Sequence, residues 1–257
     1  MKVSVLASGS KGNCTYIETK EKKILIDIGT TCKNIEQKLK EINVNPEEID
    51  AIFISHTHTD HISGLKVFQK KYNPLVFITP IMIQELETQN KYFPIEKIQY
   101  LKENFKYGDI EIKTIKTSHD TEDSQGFIFS SSSKSVVYIT DTGYIHSKYF
   151  SILENQNIYI FESNHDVEKL MDGPYSHELK IRILSDKGHL SNEDASYYLS
   201  NFIGQNTHHI ILAHLSDENN TEQKAYETLI ETLKENDKFV ENILIAKQKE
   251  RTELIEV

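Results

Sequence analysis

An α/β fold is what this chain predicts, on three observations. Short apolar, β-branched runs such as residues 50–54 and 210–213 read as buried strands, and stretches such as residues 31–42 carry apolar side chains at helical spacing between them. At 257 residues the chain can bury a full core, and one large domain is expected rather than two. Its 38% hydrophobic and 26% charged residues are ordinary for a globular protein.

Taken in order, residues 2–7 alternate as a strand and give way to the small-residue loop Ser8-Gly9-Ser10-Lys11-Gly12-Asn13. That loop offers backbone N–H groups and Lys11 to a phosphate, with Ser8, Ser10, Lys11 and Asn13 the candidate substrate contacts, or it simply turns a corner. Residues 14–18 and 23–26 continue as a hairpin, which ends at Asp27-Ile28-Gly29. Residues 31–42 read as a helix, with Ile35, Leu39 and Ile42 on one face. Helices over 64–72 and 81–88 alternate with strands over 50–54 and 75–78. Strands are expected at 98–101, 109–115, 126–129, 135–140, 157–161 and 210–213. Residues 175–184 look helical, and Ser191 with Asp194 reads as a capping box for a helix to about Phe202. A helix over 221–234 follows, and residues 240–245 with 252–255 are expected to close a second sheet.

Composition excludes several classes. No apolar run approaches the ~20 residues needed to span a bilayer, and Met1-Lys2-Val3-Ser4-Val5-Leu6 reads as strand rather than secretory signal, so no membrane association and a cytoplasmic location are expected. Cys14 and Cys32 stand outside any metal-ligand spacing, suit a reducing compartment and read as buried or partly buried. The net charge of −10 disfavours nonspecific attraction to nucleic acid. It does not exclude a nuclease, because bound cations invert the local field.

The chemistry concentrates in Ser55-His56-Thr57-His58-Thr59-Asp60-His61, on the loop between a buried strand and a helix. Residues two apart on extended backbone point to one side, so His56 and His58 present two imidazoles to one metal ion. Asp60 and His61, where the chain turns, point toward a second ion ~3.5–4 Å away. Three further segments end strands on polar residues: Lys116-Thr117-Ser118-His119-Asp120, Tyr138-Ile139-Thr140-Asp141-Thr142-Gly143, and Ile210-Ile211-Leu212-Ala213-His214.

His-x-His-x-Asp-His after an apolar strand resembles the signature of the metallo-β-lactamase superfamily, which implies a four-layer αββα sandwich. The three later segments resemble the superfamily's remaining ligand motifs. Ser8 to Asn13, Glu162-Ser163-Asn164-His165-Asp166, Gly188-His189-Leu190-Ser191-Asn192 and His214-Leu215-Ser216-Asp217-Glu218-Asn219-Asn220 are similar, more narrowly, to the YycJ (WalJ, VicX) family. That resemblance implies a 5′-to-3′ exonuclease on double-stranded DNA, with duplex ends as partner and a link to mismatch repair reported for members. It also implies two divalent ions, Zn, Mn or Fe, one on His56, His58 and His119 and the other on Asp60, His61 and His214, with Asp141 and a hydroxide nucleophile between them. Asp27 is placed by the resemblance behind the histidine loop, holding it by hydrogen bonds. The expected proton donor is His189 oriented by Glu162, with His165 the competitor, and Arg182, Lys187 and Lys11 are candidates for phosphate contact. Hydrolysis of a small phosphodiester, thioester or lactone, and a non-catalytic role in cell-wall signalling, are the alternatives.

Overall fold

The computed structural model describes residues Met1–Val257. The first half of the chain forms β1 (Lys2–Ala7), β2 (Cys14–Glu18), β3 (Lys23–Ile26), α1 (Cys32–Glu41), β4 (Ala51–Phe53), the one-turn α2 (Thr59–Ile62), α3 (Leu65–Tyr72), β5 (Leu75–Ile78), α4 (Pro80–Thr88) and β6 (Ile98–Tyr100). The second half forms β7 (Asn104–Tyr107), β8 (Ile110–Lys116), β9 (Gln125–Ser131), β10 (Lys134–Ile139), α5 (Phe150–Leu153), β11 (Ile158–Glu162), α6 (Val167–Asp172), α7 (His177–Leu184), α8 (Asn192–Phe202), β12 (His209–Ala213), α9 (Glu222–Glu235), β13 (Asn242–Ile245) and β14 (Ile255–Glu256). No helix is long and apolar enough to cross a membrane.

The strands pair into two seven-stranded sheets, ordered β14-β1-β2-β3-β4-β5-β6 and β13-β12-β11-β10-β9-β8-β7. Their central strands are apolar on both faces, as sheets covered on both sides must be. In β4, Ala51 and Phe53 face the other sheet while Ile52 faces helices; in β11, Ile158 and Ile160 face the other sheet while Tyr159 and Phe161 face helices. Three apolar clusters result: α1, α3 and α4 on the first sheet, the inter-sheet core, and α5, α8 and α9 on the second sheet. This is the four-layer αββα sandwich. At its centre Phe53 stacks on Phe77 at 4.4 Å between centroids and meets Phe129 edge-on at 5.1 Å, geometries that aromatic quadrupoles favour.

The carboxyl end corrects one expectation. Ile255 and Glu256 do not join the second sheet but pair antiparallel with β1 in the first, Val3 opposite Ile255 and Lys2 opposite Glu256. Thr252 starts this return, its N–H donating to Val5 O at 2.9 Å and its Oγ1 accepting from Val5 N–H at 3.0 Å. The strand β7 and the short helix α6 are additions to the sequence reading.

Candidate metal centre

β3, β4 and β5 run parallel in one sheet, as do β10, β11, β12 and β13 in the other, and the carboxyl ends of β3, β4, β10, β11 and β12 meet at one edge of the sandwich. Ligand sites in α/β sheets form at such ends. Three of these strand tips leave through left-handed backbone: Asp27 at φ 60°, Asp141 at φ 56° and His214 at φ 56°. Aspartate and histidine are among the few L residues that adopt it readily. Close backbone approach fixes the loop above β3, where a Cβ on Gly29 would stand 1.6 Å from Asp60 O.

Asp27 is fully buried and accepts four hydrogen bonds: Ser55 N–H at 2.8 Å, Ser55 Oγ–H at 2.7 Å, His61 Nδ1–H at 2.7 Å and Tyr138 Oη–H at 3.1 Å. It therefore ties the start of the histidine loop to its last histidine and to the second sheet. The same logic recurs at three more buried imidazoles. His56 Nδ1–H donates to Ser55 Oγ at 3.1 Å, His119 Nδ1–H to Gly188 O at 3.2 Å and His214 Nδ1–H to Glu162 Oε1 at 3.0 Å. Each of these partners engages Nδ1 and turns Nε2 toward the pocket, the arrangement that metal-ligating histidines require.

The free atoms converge. His58 Nδ1 lies 3.2 Å from His119 Nε2, and together with His56 they form one group of potential ligands within 4.8 Å of one another. Asp60, His61 and His214 form another, Asp60 Oδ2 standing 3.6 Å from Nε2 of both His61 and His214. Asp141 lies between the two, Oδ2 at 3.1 Å from His61 Nε2 and Oδ1 at 3.8 Å from His119 Nε2. His56 Nε2, Asp141 Oδ2 and His214 Nε2 are buried without any hydrogen-bond partner, a costly arrangement unless a cation completes it. Burial alone would push His214 down, but Asp141, Asp60 and Glu162 outweigh it and push it up to about 10. The pocket thus draws positive charge, and its imidazole and carboxylate donors fit divalent metal ions.

Beside this cluster sits a carboxylate–imidazole pair. Glu162 Oε1 accepts from His189 Nδ1–H at 2.7 Å, while Oε2 accepts from Thr142 N–H at 3.0 Å and Leu190 N–H at 3.1 Å. Burial pushes the Glu162 carboxyl up, but His189 and His214 outweigh it and hold it at about 2. His189 is thereby oriented with Nδ1 engaged, and its ring lines the mouth of the site.

The structure redistributes several expected contacts. Ser8 and Asn13, expected to touch substrate, are only 3% and 2% exposed and serve the scaffold. Ser8 Oγ accepts from His214 N–H at 2.7 Å, and the Asn13 amide bridges Gly9 and the His61 ring, Nδ2 lying 2.9 Å from His61 Nε2. Ser10 lines the mouth, and Lys11 is exposed and paired with Asp217 at 2.7 Å. His165 is 1% exposed, outside the residues that line the mouth, with neither ring nitrogen partnered, and burial pushes it down to about 4. Of the two expected donors, His189 is the one whose ring lines the mouth. Two residues went unremarked in the sequence. Asp120, next to His119, pairs with Arg182 and directs its other oxygen toward His58 Nε2 at 3.7 Å. Asn164 donates from Nδ2 to His214 O at 2.9 Å. The His-Asp dipeptide was the available signal for the first; nothing local marks the second.

Comparisons with known proteins show the family and the fold. Residues 22–214 match a family model described as a beta-lactamase superfamily domain. The chain is 42% identical over 240 residues to exodeoxyribonuclease WalJ of Streptococcus pneumoniae serotype 2, covering 92% of this chain and 89% of that one. It is 38% identical over 240 residues to exodeoxyribonuclease YycJ of Bacillus anthracis, covering 90% and 89%. Among solved structures, the metallo-beta-lactamase fold protein YhfI from Bacillus subtilis superposes with a TM-score of 0.73 at 19% identity, covering 98% of each chain, which shows the shared fold. The chain belongs to the YycJ/WalJ family of the metallo-β-lactamase superfamily.

Proposed function

We propose that this protein is a metal-dependent exonuclease that removes nucleotides stepwise from the 5′ ends of duplex DNA. The observation that carries the reading is the convergence of His56, His58, His119, Asp60, His61, His214 and Asp141 at one edge, with the Glu162–His189 pair opening onto the same mouth. The printed activity of the WalJ and YycJ relatives, exodeoxyribonucleases aligned over nine-tenths of the chain, supports the substrate class.

His56, His58 and His119 would hold one divalent ion and Asp60, His61 and His214 a second, with Asp141 shared; Zn, Mn and Fe all suit these donors. When bound, such ions lower the pKa of a water toward neutrality and offset charge on phosphoryl oxygens. The protein's own contribution lies in placement and proton transfer. Asp27, Ser55 and Gly188 O hold the imidazoles in one tautomer. His189, with Nδ1–H fixed on Glu162, keeps a proton at Nε2 and delivers it to the oxygen that departs from phosphorus. Ser10, Arg182 and Lys187 stand at the mouth where a phosphate chain would pass.

The test is incubation of the metal-loaded protein with end-labelled duplex DNA, single-stranded DNA, RNA and a small phosphodiester. Stepwise loss from the 5′ end of duplex DNA is expected, and Asp60→Ala is expected to abolish it. Turnover of the small ester alone would replace this reading with a small-molecule phosphodiesterase.

A further inference from the structure

The mouth of the site carries four apolar side chains that the fold leaves half-exposed. No residue of α7 is buried, yet Leu179 and Ile183, four apart on one face, and Tyr175 just before the cap line the cavity that also holds His119, Asp120, His189 and His214. Leu215 adds a fourth apolar side chain, and Arg182 and Lys187 stand at the rim. α7 is held in place by polar contacts instead: Ser176 caps its first turn, and Arg182 pairs with Asp120 beside the ligand cluster. An apolar stripe beside a phosphodiesterase site suits a flat group with apolar faces that is carried on the sugar next to the phosphate. A nucleobase is such a group.

Size decides how much of a DNA end fits. The cavity is about 220 Å3, below the ~300 Å3 at which pockets for drug-sized ligands begin. A volume below that range suits one base with its sugar, whereas a closed terminal pair brings a second base and sugar of similar size. One base with its sugar enters; a base pair does not.

Resting on the exonuclease reading, we propose that this cavity seats a single unpaired terminal nucleotide, with its base against Tyr175, Leu179 and Ile183 and its phosphate directed at the His189 side. A duplex end is therefore engaged only after its last base pair has opened, as enzymes that act on a nucleotide inside a stack first extrude it. Stacking on an aromatic ring is sequence-tolerant, so the device suits an enzyme that removes any of the four nucleotides.

The experiment uses the metal-loaded full chain and 5′-labelled duplexes of one sequence that differ only in the terminal pair: G·C, A·T, a mismatch, or a covalently cross-linked pair. Release of the first nucleotide is measured under single-turnover conditions. The rate is expected to rise from G·C to A·T to mismatch, by roughly tenfold across the series, and to vanish for the cross-linked end. Tyr175→Ala and Leu179→Ala are expected to raise KM by about tenfold for the mismatched end with little change in kcat, while thermal unfolding reports whether either variant is folded. Equal release from all four ends, the cross-linked one included, overturns the inference and leaves the exonuclease reading standing. No release from any DNA end overturns both.

Discussion

Replacing Asp27 by asparagine removes one charge and leaves the backbone undisturbed, because asparagine tolerates the left-handed conformation at φ 60° as readily as aspartate. The carboxylate accepts from Ser55 N–H, Ser55 Oγ–H, His61 Nδ1–H and Tyr138 Oη–H at 2.8, 2.7, 2.7 and 3.1 Å, the last three on one oxygen. An amide has one acceptor oxygen. If that oxygen takes the three-donor position, the NH2 group confronts the Ser55 backbone N–H, and a buried donor without a partner costs about 1–3 kcal/mol. If the amide turns the other way, NH2 confronts His61 Nδ1, which must then accept. The ring proton moves to Nε2, the atom the metal needs. Both outcomes disturb the site, so Asp27→Asn is expected to lower metal affinity by about 10- to 100-fold, the usual weight of such an outer partner. Competition titration against a chromogenic chelator measures the affinity, and urea unfolding of the chelated proteins measures the stability loss. Wild-type affinity together with an unchanged urea midpoint would refute the role given to Asp27.

Gly29→Ala places a Cβ 1.6 Å from Asp60 O and 2.4 Å from Asn13 N, both backbone atoms, so the turn carrying Asp60 and His61 must shift. Overpacking of this kind costs about 1–3 kcal/mol or more, and both thermal midpoint and metal stoichiometry are expected to fall; a variant equal to wild type in both would contradict the packing argument. His165 is held down at about 4 by burial, so below its unfolded value near 6.5 the unfolded chain binds a proton that the folded chain refuses. Stability should therefore decline as pH falls from about 6.5 to about 4, by about 3 kcal/mol from this one group, and His165→Gln should flatten that part of the urea-derived stability profile. A profile of unchanged slope would show that His165 titrates normally. Saturating metal is expected to raise the thermal midpoint by about 10 °C over the chelated protein, the shift that binding at ~1,000 times Kd gives a chain of this size, and no shift would mean that the ligand cluster is not a metal site.

The parts of the site legible in the sequence are those whose residues leave a strand together. His56, His58, Asp60 and His61 sit in one loop after one apolar run, so the period-two geometry of extended backbone pairs His56 with His58, and the turn that follows aims Asp60 and His61 elsewhere, which is enough to mark them as candidate ligands. His119, Asp141 and His214 became readable only through a family pattern, because no local rule says which strand ends share an edge. Ser8 and Asn13 show the limit from the other side: a Ser/Gly loop reads as a phosphate cradle, but whether its side chains turn outward depends on the His214 amide and the His61 ring that arrive from distant segments. The two-residue strand β14 has too little sequence to declare a partner. Its place beside β1 is set by register with Val3 and by the Thr252 hydrogen bonds.

The backbone at Asp27, Asp141 and His214 also limits how this centre could be rebuilt. Asparagine, aspartate, histidine and glycine accept that left-handed geometry at low cost, while β-branched and bulky side chains do not. Anyone retuning the centre for another metal therefore chooses from a short menu at these tips and a wide one in the histidine loop. Selection on this scaffold meets the same filter, so peptide conformation screens candidate donors here before any coordination chemistry can.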